Sequence, residues 1–292
     1  MNIYSAINTN KLKSVLLIIG FLIFVAIIGY VFGELTGLGY FGLILAVVLS
    51  MFYTVGSYYY SDQIVLRITG AKPVKKEEYP YLFNTIDGLS IAAGIPVPKA
   101  YVIEDPAPNA FATGRDPQHG AVAVTTGLLK IMNRQELEGV IAHEMSHIKN
   151  YDTRLMTLAV VLAGVVTILA DIGLRAFVFG RRDDRGKGGG GIILLIFLVM
   201  LILSPIFAQL IKLAISRKRE YLADANGALL TRYPEGLASA LEKISQSTNK
   251  LKNVSEATAH LYISNPFKSS LINGLFSTHP PMQDRIKILR GM

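Results

Sequence analysis

The sequence predicts a mainly α-helical membrane protein carrying a polar α+β unit with a small sheet, and three observations lead there. Hydrophobic residues make up 51% of the 292 positions and charged residues only 17%, with a positive mean hydropathy, a balance outside the usual range of water-soluble domains. Four apolar stretches, near residues 14–32, 38–57, 156–179 and 192–215, each approach the ~20 residues that a helix needs to cross a bilayer. Between them the chain switches to polar blocks with helix-like and strand-like patterns.

The first two stretches predict two transmembrane helices over residues 1–60. Stretch one follows Lys11 and Lys13 but is too long for a signal peptide and lacks a small-x-small cleavage site, so it reads as a retained anchor. The positive-inside rule puts the N-terminus in the cytoplasm, the Gly33 to Gly37 turn outside and the Gln63 to Tyr151 block inside. The third and fourth stretches, within 156–215, predict two further apolar helices, either spanning or forming a shallow hairpin. Their connector "GRRDDRGKGGGG" carries Arg181, Arg182, Arg185 and Lys187 against Asp183 and Asp184, which runs against an outside location. Asp171 and Arg175 form an i, i+4 pair in stretch three, read as an end-of-span pair snorkelling to the interface.

The polar blocks, 61–155 and 216–292, are expected to be two parts of one cytoplasmic unit. "EEYPYLFNTIDGLSIAA" has helical spacing, "GIPVPKAYVIED" suggests a turn and a strand, and "PNAFATG" and "GAVAVTTGLL" are β-like runs flanking a turn-rich "RDPQHG". Asn133 can cap the next helix, with Glu136 completing a capping box. The chain has no cysteine, so any metal must be held by nitrogen and oxygen. The net charge of +8 is concentrated at the ends of apolar stretches, which fits anionic lipid headgroups; nucleic-acid binding is not expected, since there is neither a recognition motif nor aromatic interleaving.

Inside the capped helix lies "HEMSH". Four residues separate His143 from His147, so their imidazoles project from one helical face, a single turn apart, and can grip one ion. Glu144 is too close in sequence to be a comfortable third ligand but well placed to take a proton from activated water. Imidazole and carboxylate donors suit zinc, one ion per chain, and peptide hydrolysis is the usual use of such a site. A third protein ligand is required, and Glu220, Glu242, His260, His279 and Asp152 are candidates. Glu220 is preferred because "SRKREYLADANGALL" is helix-like, with Asp224 one turn later and able to orient a ligand imidazole.

"NAFATG" (Asn109 to Gly114), "HEMSH" followed by Asp152, "SRKREYLAD" and "STHPPMQDR" together resemble the HtpX-type membrane zinc metallopeptidases, relatives of the prenyl-protein peptidases that process CAAX ends. The pieces run in family order and the resemblance covers essentially the whole chain. It implies a zincin-like α+β metallopeptidase domain with the small sheet at the active site. It further implies His143, His147 and Glu220 as metal ligands, Glu144 as catalytic base and Asp224 as a supporting residue. His279 and Arg285 would stabilise the tetrahedral intermediate or position substrate, and Asn109 would touch a substrate added as a strand. The expected protein is a multi-pass enzyme of the cell (inner) membrane, its catalytic domain in the cytoplasm, cutting membrane proteins or unfolded polypeptides in quality control and stress response. No oligomeric state is implied.

Three other readings share some of these features. An intramembrane site-two protease also uses HExxH, but Arg134, Glu136, Glu138, Lys149 and Asp152 make this setting too polar for a bilayer core. A noncatalytic scaffold stapled by structural zinc would ordinarily need four protein ligands. A CAAX-type prenyl-protein peptidase shares the motifs, but the chain is short and has few spans for that branch.

Overall fold

A computed structural model describes residues 3–179, 217–249, 251–252, 258–264 and 280–292. The fourth apolar stretch, the basic loop before it, the side chains of Asp171 and Arg175, and His279 lie outside the described residues.

Helices α1 (Ile3–Thr36) and α2 (Tyr40–Ile68) form an apolar hairpin. Glycines make its closest contacts: Gly29 and Gly33 of α1 face Gly42 and Ala46 of α2, where any added Cβ would collide. Two segments, Ile7–Glu34 and Tyr40–Ile68, are long and apolar enough to cross a membrane. Their outer faces expose Leu16, Ile23, Ile44 and Phe52, a surface suited to lipid rather than water. Helix α6 (Asp152–Phe179) contains the third apolar stretch. Its Leu155, Leu158, Ala159 and Leu162 pack against Leu17, Phe21 and Phe24 of α1, so this part of α6 is wedged against the anchor.

The sheet has the order β1-β2-β4-β3, built from β1 (Lys72–Pro73), β2 (Lys99–Ile103), β3 (Ala110–Thr113) and β4 (Ala121–Thr125). Strands β2 and β4 are parallel; the other pairs are antiparallel. The two β-like runs of the sequence thus become one hairpin, its connection tightened where the Asp116 carboxylate accepts the His119 N–H at 2.9 Å. Both faces of β3 and β4 are buried, hence their unbroken apolar character. Ala110, Ala112, Val122 and Val124 face α5 (Arg134–Lys149), whereas Phe111, Ala121 and Ala123 face Met156, Val160 and Tyr262.

Helix α3 (Pro80–Ala93) opens on a proline and closes at Gly94, whose φ of +67° belongs to the left-handed cap that glycine accommodates. The short α4 (Thr126–Ile131) leads into α5. Helices α7 (Arg217–Thr231), α8 (Pro234–Gln246) and α9 (Met282–Arg290) complete the packing around α5. Helix α8 lies so close that a Cβ on Gly139 of α5 would sit 2.6 Å from the Leu237 backbone nitrogen. Alanine's better helix propensity is worth at most about 1 kcal/mol, whereas overpacking against fixed backbone costs about 1–3 kcal/mol. Gly139→Ala is therefore expected to lower the thermal midpoint of the detergent-solubilised protein; an unchanged or raised midpoint would contradict this packing.

Candidate metal centre

The site starts with the register of α5. Asn133 Oδ1 accepts the Glu136 N–H at 3.0 Å, and Glu136 Oε2 accepts the Asn133 N–H at 2.9 Å, closing the capping box expected from the sequence. Glu136 is locked further by Ser239 and Lys243 of α8, at 2.6 and 2.7 Å. Burial works against its charge, but these donors hold its pKa below the usual carboxylate range. From this start the helix carries His143, Glu144 and His147 into the interior, all at most 5% exposed.

Helix α7 brings the other half. Gly227 approaches the His143 backbone so closely that an added Cβ would lie 3.1 Å from its nitrogen. That proximity lets Glu220 and Asp224, one turn apart on α7, reach the imidazoles. Glu220 Oε2 is 3.8 Å from His143 Nε2, Glu220 Oε1 is 3.6 Å from His147 Nε2, and the two Nε2 atoms are 3.2 Å apart. Donors arranged tetrahedrally at about 2.0–2.1 Å from one ion are separated by roughly 3.3 Å, so these spacings fit a shared cation.

The opposite ring nitrogens explain why. His143 Nδ1 is 2.9 Å from Asp224 Oδ1, and His147 Nδ1 is 3.0 Å from Asp152 Oδ2. The Asp152 contact is a hydrogen bond and the Asp224 contact a close charge, and each favours the ring proton on Nδ1, which leaves the Nε2 lone pairs facing one another. Two acceptors 3.2 Å apart need a positive charge between them. The surrounding charges agree: among the described residues, Glu144, Asp152, Glu220 and Asp224 are buried here with Arg219 and Arg285. Fully ionised, the cluster lacks two positive charges, the charge of one divalent cation. The pKa values of His147 and Glu144 are both raised. Burial opposes charging His147, but the Asp152 bond, with Glu220 and Asp152 charge, holds its pKa at about 9. Burial raises the Glu144 pKa despite the imidazoles nearby. Glu144 Oε1 is buried with no hydrogen-bond partner among the described residues.

Asp224 is anchored from α9. Arg285, with no exposed surface, donates from Nε and Nη2 to the two Asp224 oxygens at 2.8 and 2.7 Å, and from Nη1 to Ile263 O at 3.1 Å. Its Nη1 lies 3.7 Å from Glu220 Oε2. Burial disfavours charge on both, yet each holds the other ionised: the Asp224 pKa falls well below the carboxylate range and that of Arg285 rises. The guanidinium thus sits against the carboxylates that flank the imidazoles.

Asn109 is buried beside the sheet edge, donating from Nδ2 to Ser264 O at 3.0 Å and accepting from Ser264 N at 3.3 Å. Next to it the Ile263 N–H donates to Ala110 O at 2.9 Å, so Tyr262–Ser264 runs along the outer edge of β3. Of the other third-ligand candidates, Glu242 is on the surface, paired with Arg290 at 2.7 Å, and Asp152 stands on the far side of His147. Among the described residues, His143, His147 and Glu220 alone converge, with ligand atoms all within 4.8 Å of one another. The support from Asp152 and the burial of Arg219 were not foreseen; the one local signal was an acid just beyond the end of α5.

The profile of peptidase family M48 matches residues 76–292. The chain belongs to peptidase family M48. Over 289 residues it is 52% identical to a protein named Protease HtpX homolog from Dictyoglomus thermophilum, covering 99% of this chain and 94% of that protein. A Protease HtpX homolog from Tropheryma whipplei is 44% identical over 289 residues, covering 99% of this chain and 98% of the relative. A crystal structure of S. mikatae Ste24p aligns at 21% identity with a TM-score of 0.49, covering 82% of this chain and 57% of that one. With its two membrane-length helices, this M48 member is a membrane-bound metallopeptidase acting on polypeptides.

Because metal must displace the extra proton of His147, uptake of a divalent ion by the chelator-stripped peptidase is expected to strengthen by up to about tenfold per pH unit as pH rises toward about 9. Competition with a chromophoric chelator between pH 6.5 and 9 checks this, and a flat profile contradicts the proton balance.

Proposed function

We propose that the chain is a zinc-dependent endopeptidase of the cell (inner) membrane, its active site facing the cytoplasm close to the bilayer surface. Its substrates are membrane proteins, with damaged or misfolded ones a quality-control class. One observation carries the chemistry: two imidazoles and a carboxylate, with ligand atoms all within 4.8 Å of one another, beside the buried Glu144 Oε1, which has no hydrogen-bond partner among the described residues. In the proposed organisation residues 1–60 are two transmembrane helices, 61–155 and 216–292 form the peptidase unit, and 156–215 add two further apolar helices. Proximity supports the substrate class, because the helix bearing both histidines passes through Asn150 and Tyr151 directly into α6.

His143, His147 and Glu220 are the proposed ligands, and zinc suits that nitrogen and oxygen set. When bound, the ion supplies Lewis acidity, polarising the scissile carbonyl and making water nucleophilic near neutral pH. Glu144 accepts the proton of the attacking water and returns it to the departing amine, and a pKa raised by burial suits a group that must both take and release a proton. Asp224 and Asp152 keep the Nδ1 protons in place so that both Nε2 lone pairs stay directed at the ion. Arg285, which the resemblance cast as a donor to the intermediate, has its described bonds to Asp224 and Ile263; the proposed role is to hold Asp224 in position. His279 is retained as the candidate donor to the developing oxyanion. Asn109 is placed to hold the segment along the β3 edge, beside the route of an extended substrate.

Replacing Glu144 by Gln should leave zinc content at that of the parent protein while lowering cleavage of a membrane-protein or casein-like substrate by about 10²–10⁴-fold. Undiminished proteolysis would remove Glu144 from its assigned role.

A further inference from the structure

We propose that the membrane anchor is part of the metal centre: Asn10 of α1 is a positioning residue for His147 and, through Arg219, for the helix that carries Glu220. The inference rests on the proposed metal centre and extends it to a residue more than 130 positions away.

Asn10 lies within the Ile7–Glu34 candidate span and is 2% exposed. Its Nδ2 donates to Asp152 Oδ1 at 2.6 Å and to Asn150 O at 3.0 Å, and its Oδ1 accepts from Arg219 Nη1 at 3.1 Å. One amide therefore touches the C-cap residue of α5, the first residue of α6 and the residue preceding Glu220 on α7. The orientation of the amide is fixed by chemistry, since two oxygens face its nitrogen and a guanidinium faces its oxygen. Its own backbone is steadied by Ser14 Oγ, which donates to Asn10 O at 2.9 Å.

The energetic reason lies in Asp152. This carboxylate is 1% exposed, and its Oδ2 lies 3.0 Å from His147 Nδ1. A buried carboxylate needs donors for both oxygens. Oδ2 has the imidazole; Oδ1 has Asn10 at 2.6 Å, while Arg219 Nε stands off at 3.7 Å. Asn10 thus supplies the short bond on that side. The backbone between His147 and Asp152 adds to the requirement. Tyr151 takes a φ of +60°, an uncommon conformation for a non-glycine residue, in the turn that lies between His147 and Asp152. Lys11 and Arg154 sit over the Tyr151 ring at 4.5 and 4.9 Å, so α1 holds this corner at two successive residues. A polar residue at a buried position of a membrane helix is expensive unless it has such a task.

The test uses the full chain in detergent, stripped with chelator and titrated with Co2+, whose visible d–d bands report both affinity and coordination geometry. Asn10→Leu removes all three hydrogen bonds at similar volume; Asn10→Asp keeps an acceptor for Arg219 but sets a carboxylate against Asp152. Leu17→Val, two turns further along the same face of α1, loosens packing against α6 without touching the polar cluster. Both Asn10 variants are expected to bind Co2+ about tenfold or more weakly than the parent, within the range seen for residues supporting metal ligands, with altered d–d intensity. Leu17→Val should lower the melting temperature while leaving affinity and spectrum unchanged. Parent-like affinity and spectrum in either folded Asn10 variant would overturn the proposal, and so would an equal loss of affinity in Leu17→Val at a matched drop in melting temperature. If Asn10→Leu does not fold, Asn10→Asp decides alone. A parent protein that takes up no Co2+ would instead refute the metal centre itself.

Discussion

Everything at this site depends on where two protons are held. Asp224 and Asp152 bind the Nδ1 faces of His143 and His147, and by doing so they turn two Nε2 lone pairs toward each other and toward Glu220. Such an arrangement is repulsive by itself in a buried, low-dielectric setting and becomes favourable only around a cation. The remaining charges follow from the same constraint. Arg285 keeps Asp224 ionised, Arg219 and Asn10 face Asp152, and Glu144 is left near the centre with a carboxyl oxygen that no described residue satisfies. A site assembled this way carries an electrostatic imbalance that a bound cation would offset.

The fold supplies the rigidity that this imbalance needs. Helix α5 is locked at its start by the Asn133–Glu136 box and by Lys243, and it is pressed on by α7 and α8 where Gly227 and Gly139 remove the obstacle of a Cβ. Backbone-to-backbone packing of this kind allows little sliding, so the separation between the histidines and Glu220 is set by helix geometry rather than by loop conformation. On the other side the sheet gives α5 a flat apolar seat through Ala110, Ala112, Val122 and Val124. The small side chains on β3 and β4 let the helix come near the strand whose outer edge is followed by Tyr262–Ser264.

The apolar hairpin packs continuously with the half of the molecule that carries the candidate metal centre. Helix α6 starts at Asp152, beside the metal centre, and within three turns its leucines are buried against Leu17, Phe21 and Phe24 of α1. Apolar burial and the polar contacts of Asn10 therefore act on the same pair of helices. Any tilt of α1 relative to α6 is opposed by both, and movement of α6 would carry the support of His147 with it.

Local pattern carried a large part of this outcome. Two membrane-length helices, the capped helix, the β-like runs and the paired histidines were legible because apolar run length, capping chemistry and i, i+4 spacing act within a few residues of one another. Helical periodicity put Glu220 and Asp224 one turn apart, and the family resemblance then favoured Glu220 over the other candidate ligands. What the tertiary structure alone decided was which acids meet which imidazoles: Glu242 went to a surface pair with Arg290, Asp152 went behind His147, and Arg285 reached Asp224 from a helix 61 positions away. Asn10 bears no mark in the sequence that separates it from a neutral residue at the start of an anchor. Its partners lie 140, 142 and 209 positions along the chain, and contacts at that range are set by how whole helices pack, which no local spacing encodes.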